Sequence, residues 1–477
     1  MVGQNNGTAN GQSRKRLDPQ WAWQPYQPDG RRPWNLQRAG HLYRRAAFAA
    51  NWSELQRAVQ DGPQKTVERL LTPGPDYEAF DRGMDELASR IAKGNNTVHM
   101  RAWWLARMIR TPFPLVEKMT LFWHNHFATS NAKVNNVGYM LQQNQTLRRL
   151  ALGSFAEMLQ AISKDPAMMV WLDTNLSKKG RPNENYAREL MELFSLGIGN
   201  YTEQDIREAA RAFTGWEIRQ GKFHFNAAEH DDGEKTVFGR TGRWQGEDIV
   251  RMCLEHPACA RFIARKLFRY FVSETLEPDA ELLEPLAECL RRNQYQIGEA
   301  VRMILTSNIF YSEHAYRTRV KSPVEFAVGI IRALEGQPNA IALANALENI
   351  GQRLFYPPSV KGWDGGSAWL NSTTLLARNN LAQALVSGED PQFGSRCDPV
   401  VVLRKYGRES ADQALRFFLE LFLQGDLAEE SQQSLASYLR ESEQFRWPVY
   451  WTQQDRHEHR LRAVCYLVLT QPEFQLD

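Results

Sequence analysis

An excess of either charge is missing from this sequence of 477 residues. Lys and Arg number 58 against 55 Asp and Glu, a formal net charge of +3. So even a balance does not mark a dedicated nucleic-acid binder, and no nucleic-acid partner is expected. Cysteine is scarce and odd in number: Cys253, Cys259, Cys289, Cys397 and Cys465. No two form a CxxC pair, which removes a zinc ribbon and a redox motif. Scattered free thiols suit a reducing compartment. No apolar run reaches the ~18 residues of a membrane helix. The opening MVGQNNGTANGQSRKRLDPQ lacks the apolar stretch of a secretory signal. A soluble, cytoplasmic protein with no membrane partner is therefore expected.

Catalytic signatures are missing too. There is no GxSxG elbow, no GxxxxGK followed by Ser or Thr, and no HExxH. GRTGRWQG does not follow a strand–helix pattern, so it is not a dinucleotide fingerprint. What is present is a globular composition, with 43% hydrophobic and 24% charged residues. A chain this long buries a large core without disulfide or metal staples.

Residues 1–17 are Gly, Asn, Ser and basic residues, which read as a disordered tail. Residues 18–40, with WAWQPYQPDGRRPW, read as an extended Trp- and Pro-rich arm. Its prolines argue against a regular helix. Trp21, Trp23, Tyr26 and Trp34 are too apolar to stay solvated, so the arm either lies on the body or holds a partner. Residues 41–477 read as a helical domain, with an internal split near 245 or 320 left open. A helical stretch breaks at Asn51, where Ser53 is the expected cap of the next piece. Pro112 and Pro114 separate two helices, and Gly197 and Gly199 stop another. Thr202 and Asp205 have capping-box spacing. A small hairpin is expected over Trp216–Phe225, then an irregular loop to about Gly242. A second irregular insert, FYPPSVKGWDGGSAWLNS, follows Leu354. The fold class is thus predominantly α: a large multi-helix domain with a small β-hairpin and two irregular Gly-rich inserts.

Several strings resemble a bacterial family known only as domain of unknown function 1800. They run in the family's order: HLYRRAAF, EKMTLFWHNHFATS, DPAMMVWLD, PNENYARELMELFSLGIGNYTEQDIREAARAFTGW, HDDGEKTVFGRTG, PACARFIARKLFRYFV, YPPSVKGWDGG and YLVLTQPEFQ. The resemblance covers nearly everything from Trp21 to Phe474. It implies no established activity. Genes of this family often lie beside another uncharacterised family, domain of unknown function 1501, which is similar to sulfatases. The resemblance thus implies a sulfatase-like partner.

Candidate chemistry collects in four motifs. In PNENYARELMELF, Glu184, Arg188 and Glu192 share a face at i, i+4, i+8, with Asn185 and Glu189 beside them. Asn183 is placed to cap. This set either grips a cation or polar substrate, or forms a solvated face with Glu184–Arg188 and Arg188–Glu192 pairs. A di-iron bundle needs Glu-x-x-His, which no Glu of this motif offers. In FWHNHFATS, His124 and His126 point about 200° apart on a continuous helix and cannot share a metal. Either one His is core and the other wet, or His126 is a general base or ligand. In EHDDGEKT, His230, Asp231 and Lys235 crowd a loop that is either a site or a polar turn. In VKGWDGG, Trp363 and Asp364 form a pocket wall or a packed corner.

The enzyme reading gathers these motifs around one cavity. His126, Glu184, Arg188, Glu189 and His230 would be catalytic. Asp173, Asn175, Asn183, Asn185, Lys235, Trp363 and Asp364 would bind substrate. The cofactor is unknown, with a divalent metal as candidate on His126, Glu189, His230 and Asp231. The other reading is a non-catalytic scaffold acting with the sulfatase-like protein.

Overall fold

The helical period of the sequence becomes 23 α-helices among the described residues, beside two two-stranded antiparallel sheets. The chain is predominantly α. The structure, a computed structural model, describes residues 17–393, 396–441 and 448–477. The expected disordered tail, apart from Leu17, lies outside them. One buried apolar cluster runs from Ala22 to Phe474 and takes in residues on both sides of positions 245 and 320.

Local signals set most element ends. Thr202 and Asp205 close a capping box on Glu203–Ala212. Pro114 occupies the first turn of Pro114–His126, where a missing N–H costs nothing. The cap after the break is Asn51, in a box with Glu54, rather than Ser53. Ser53 instead donates to the Asn51 side chain at 2.7 Å, because Asn51 already has the extended backbone a cap requires.

The hairpin pairs Trp216–Arg219 with Lys222–Phe225, turning at Gln220 and Gly221, both at positive φ. That is the turn whose twist suits a two-residue hairpin. The irregular loop beyond it holds a second sheet, Lys235–Val237 with Arg240–Gly242. It turns the same way at Phe238 and Gly239. Strands of three residues are too short for alternation to show in sequence.

The arm differs from the extended form expected. Pro19–Trp23 is one helical turn, capped by Asp18, because a proline at the first position does not oppose a helix. Trp23 and Tyr26 are buried in the body. Trp23 Nε1 donates to Leu282 O at 2.7 Å, and Tyr26 N donates to Thr306 O at 2.7 Å.

The helix Pro114–His126 forms the middle of the molecule. All of its 13 residues but Asn125 are buried. A helix buried all round leaves its ionisable residues no water, so each needs a protein partner or must lose its charge. Glu117 takes Arg107 Nε at 2.6 Å, Arg148 Nε at 2.7 Å and Trp104 Nε1 at 2.9 Å. Burial alone would raise its carboxyl, but the Arg148 and Arg107 guanidiniums hold it below the ordinary value. The next residue, Lys118, pairs with Glu325 at 2.6 Å and lies 3.8 Å from the Asp477 carboxylate. Arg319 closes this second group, 3.5 Å from Glu325. Glu117→Leu leaves the buried Arg148 guanidinium without its carboxylate and Arg107 with Asp81 and Asp85 alone, and is expected to cost about 3–5 kcal/mol. Urea unfolding with an unchanged m-value checks this, and an unchanged midpoint contradicts it.

Candidate functional site

The PNEN and VKGWDGG motifs meet at the end of the helix Pro114–His126, and EHDDGEKT joins through the segment before PNEN. His124 and His126 leave the helix on different sides, as the helical period requires. The expectation that one is wet fails: both are buried. His124 Nε2 accepts from Phe355 N–H at 3.2 Å, and its ring stands edge-on to Trp104. That ties the helix to the second insert. His126 Nε2 lies 3.0 Å from Phe194 O. A carbonyl only accepts, so Nε2 carries the proton. The ring sits among Phe122, Trp123, Phe127, Phe155, Phe194 and Phe262. Burial pushes His124 down to about 3 and His126 well below the ordinary imidazole value. Both are neutral at pH 7.

Phe194 belongs to a π-helical stretch, Leu190–Ser195, that continues the short helix Asn185–Glu189. A π turn widens the helix and shifts the residues after it around the axis. The i, i+4, i+8 face expected for Glu184, Arg188 and Glu192 is broken there. Arg188 pairs with Glu184 at 3.2 Å and takes both carboxylate oxygens of Glu203 at 2.8 and 2.9 Å. Glu192 instead accepts from Tyr201 Oη at 2.8 Å. Asn183 Oδ1 accepts from Asn185 N–H at 2.9 Å, one residue before the cap position of this helix, which Glu184 occupies without a side-chain cap bond. Asn185 is exposed, and Glu184 and Glu189 are half-buried. Burial, and then the charge of Glu192, raise the Glu189 carboxyl above its ordinary value.

Asp173 sits in a left-handed conformation and pairs with Lys133 at 2.8 Å, with half-buried Asn175 two residues on. The segment between Asp173 and the PNEN helix holds the third motif through its backbone. Lys179 N donates to Glu229 O at 2.8 Å, and Gly215 N donates to Ser177 O at 3.0 Å. His230 is buried, with Nδ1 donating to Thr214 O at 2.9 Å. Asp231 takes Arg211 Nε at 2.8 Å and Nη2 at 3.2 Å, and chiefly this pairing holds its carboxyl down to about 2. Lys235 is buried and donates to Asp231 O at 2.5 Å and Gly233 O at 3.1 Å. Its ammonium therefore closes the loop on itself.

The fourth motif docks on Asn125. Trp363 N donates to Asn125 Oδ1 at 2.8 Å, and Asn125 Nδ2 donates back to Trp363 O at 3.3 Å. Gly362, at φ 86°, packs so close to Asn125 that a side chain there would collide with it. Asp364 is exposed and pairs with Lys361 at 3.1 Å.

The four motifs are thus brought together by backbone bonds and ring packing. The ring nitrogens His126 Nε2 and His230 Nδ1 are taken up by carbonyls. Among the described residues, no group of three His, Cys, Asp or Glu is placed to hold a metal ion. His126, Glu189, His230 and Asp231 are accordingly not assembled as a ligand set. Sequence reasoning passed over Lys266, which burial, with Arg269 and Lys361 nearby, pushes down to about 8. It also passed over Arg44, Arg45 and Lys321, all buried. The first two lie in a helix with nine consecutive buried residues, Ala39 to Ala47.

A family model described as "Protein of unknown function (DUF1800)" matches residues 41–476. The chain belongs to the DUF1800 family. The match covers all four motifs. No curated protein and no solved structure matches the chain. No helix among the described residues is long and apolar enough to cross a membrane.

The neutral imidazoles fix a pH dependence. The folded-state value of His124 lies below its unfolded value of about 6.5. The stability it contributes is therefore fully present above about 6.5 and is lost as pH falls toward 3. His124→Gln keeps an acceptor for Phe355 N–H without titrating. It is expected to reduce the loss between pH 6 and 4 by about 1.4 kcal/mol per pH unit. Denaturant midpoints across that range check this, and identical slopes for variant and parent contradict it.

Proposed function

We propose that this DUF1800 protein is a non-catalytic body that works through a protein partner, and that its four motifs are clamps fastening two inserts to a helical frame. One observation carries the reading: the charged and imidazole groups of the motifs are spent inside the molecule. Arg188, Asp231, Lys235, His126 and His230 each have intramolecular partners at hydrogen-bonding distance. The two imidazoles give their N–H to carbonyls of other segments, and the remaining His126 nitrogen, Nδ1, is buried without a hydrogen-bond partner.

The arm is not the partner-binding element in this reading, since Trp23 and Tyr26 are core residues. Apolar surface near the clamps is a better candidate. Leu176 and Ile198, on either side of the PNEN segment, are 64% and 80% exposed. Apolar side chains at such a position suit the centre of a protein interface. The sulfatase-like family implied by the sequence resemblance supplies the first partner to try.

Glu189 favours a second reading. It is half-buried with a raised carboxyl, which suits a general acid at a polar site. A metal-assisted form of that site would need further ligands from elsewhere, given the dispersion of His126, His230 and Asp231.

One experiment separates the two. The full chain is mixed with a sulfatase-like protein of the domain of unknown function 1501 family and followed by sedimentation velocity. A complex is expected, weakened roughly tenfold or more by Leu176→Glu with Ile198→Glu and unchanged by Glu189→Gln. No complex at any concentration contradicts the scaffold reading. Hydrolytic turnover by the isolated chain that Glu189→Gln abolishes, at unchanged melting temperature, supports the second reading in its place.

A further inference from the structure

Lys266 lies on the helix Pro257–Phe271, one turn after Phe262. Its Nζ stands 5.3 Å from the centre of the Phe262 ring, and that ring is 6.2 Å from the His126 ring. The amine therefore sits where this helix meets the end of Pro114–His126. The second insert docks at the same end: Gly362 packs on Asn125, and Lys361 comes just before it. Arg269, three residues beyond Lys266, shares its face of the helix.

The charges here do not balance. Arg261 and Arg265 of the same helix pair with Glu284 and Glu277, and Lys361 pairs with the exposed Asp364. Lys266 and Arg269 have no carboxylate within ion-pair distance among the described residues, and no acceptor meets Lys266 Nζ. Lys266 is half-buried, yet its Nζ keeps a face to solvent. Two other lysines whose ammonium is disfavoured, Lys235 and Lys321, differ from it. Both are buried and donate to carbonyls.

A ring face favours an ammonium, whereas lost water and like charges oppose it. Burial first, then Arg269 and Lys361, push Lys266 down to about 8. At pH 7.5 such a group holds roughly two hundred times more neutral amine than an ordinary lysine at about 10.4. The neutral amine is the form that attacks a carbonyl, and a lysine desolvated beside another cation is a recurrent way to obtain it. Arg269 has no acid of its own, and Lys361 shares only an exposed one. The two can therefore receive an anionic group on the same ligand, and two cations match a phosphate dianion.

We propose that Lys266 is a reactive amine that condenses with the carbonyl of a phosphate-bearing aldehyde, the phosphate lying against Arg269 and Lys361. Nζ attacks the carbonyl carbon to give a carbinolamine, which loses water to leave an imine. A C=N bond replaces the C=O bond, and both amine hydrogens leave with the carbonyl oxygen as water. The step consumes no oxidant or reductant. It asks for no turnover, so it goes beyond the partner-protein reading without resting on it.

The test uses the full chain, with pyridoxal 5′-phosphate as probe and pyridoxal as its phosphate-free counterpart. Each is added below stoichiometry at pH 7.5, the imine is reduced with borohydride, and labelled peptides are mapped by mass spectrometry. The exposed Lys93 and Lys222 serve as internal references, so that differences in intrinsic reactivity between the probes cancel. With the phosphate probe, label at Lys266 is expected to exceed that at either reference about tenfold or more. With pyridoxal the ratio is expected to be several-fold lower, and Arg269→Gln is expected to narrow the gap between the probes. In urea the preference for Lys266 is expected to vanish, because it depends on the fold. Label spread evenly over Lys93, Lys222 and Lys266 overturns the proposal, as does a preference that survives urea. An equal ratio with both probes overturns the phosphate contact and with it the proposed ligand class.

Discussion

A helix surrounded by protein yet carrying Glu117, Lys118, His124 and His126 is the constraint on which the rest of this molecule depends. Water is excluded from Pro114–His126, so each polar group must be answered from another part of the chain. Arg107 and Arg148 come to Glu117, and Glu325 comes to Lys118. The two imidazoles answer burial differently, by staying neutral and bonding the backbone of Phe355 and Phe194. These obligations draw in the second irregular insert and the π-helical stretch.

The geometry also shows how a polar, charge-rich motif can be architectural. Lys235 spends its ammonium on carbonyls of its own loop, and Asp231 is held by a two-pronged guanidinium. Asn125 replaces a strand partner for Trp363, giving and receiving one bond. In loops without a sheet or helix ladder, side chains must satisfy the buried backbone groups, and residues such as Lys, Asn and Asp do so. A sequence dense in these residues near glycine therefore fits such a loop as well as an active site.

Much of the frame was legible in the sequence. The period of 3.6 located the long helices, the Thr202–Asp205 spacing gave a cap, and Gly221 marked the hairpin turn. The π stretch was not legible, because LMELFS is an ordinary helical string and only its packing against His126 shows the extra residue per turn. The mispredicted Arg188–Glu192 pair follows directly from that. The wet-or-buried choice for His124 and His126 depended on partners more than 60 residues away in sequence. Arg44 and Lys321 escaped notice for a related reason: a charge's burial is a property of the assembled core and not of its neighbours in sequence.

The account stands most directly on His126 being a neutral link rather than a titrating group. Selective nitrogen-15 labelling of histidine, with long-range proton–nitrogen spectra recorded from pH 8 to pH 5, reads the state of each ring. His126, identified by its loss in His126→Gln, is expected to hold its proton on Nε2 and to show no shift across that range. A titration midpoint near the ordinary imidazole value, or a proton on Nδ1, would contradict the account and return this histidine to the list of candidate bases.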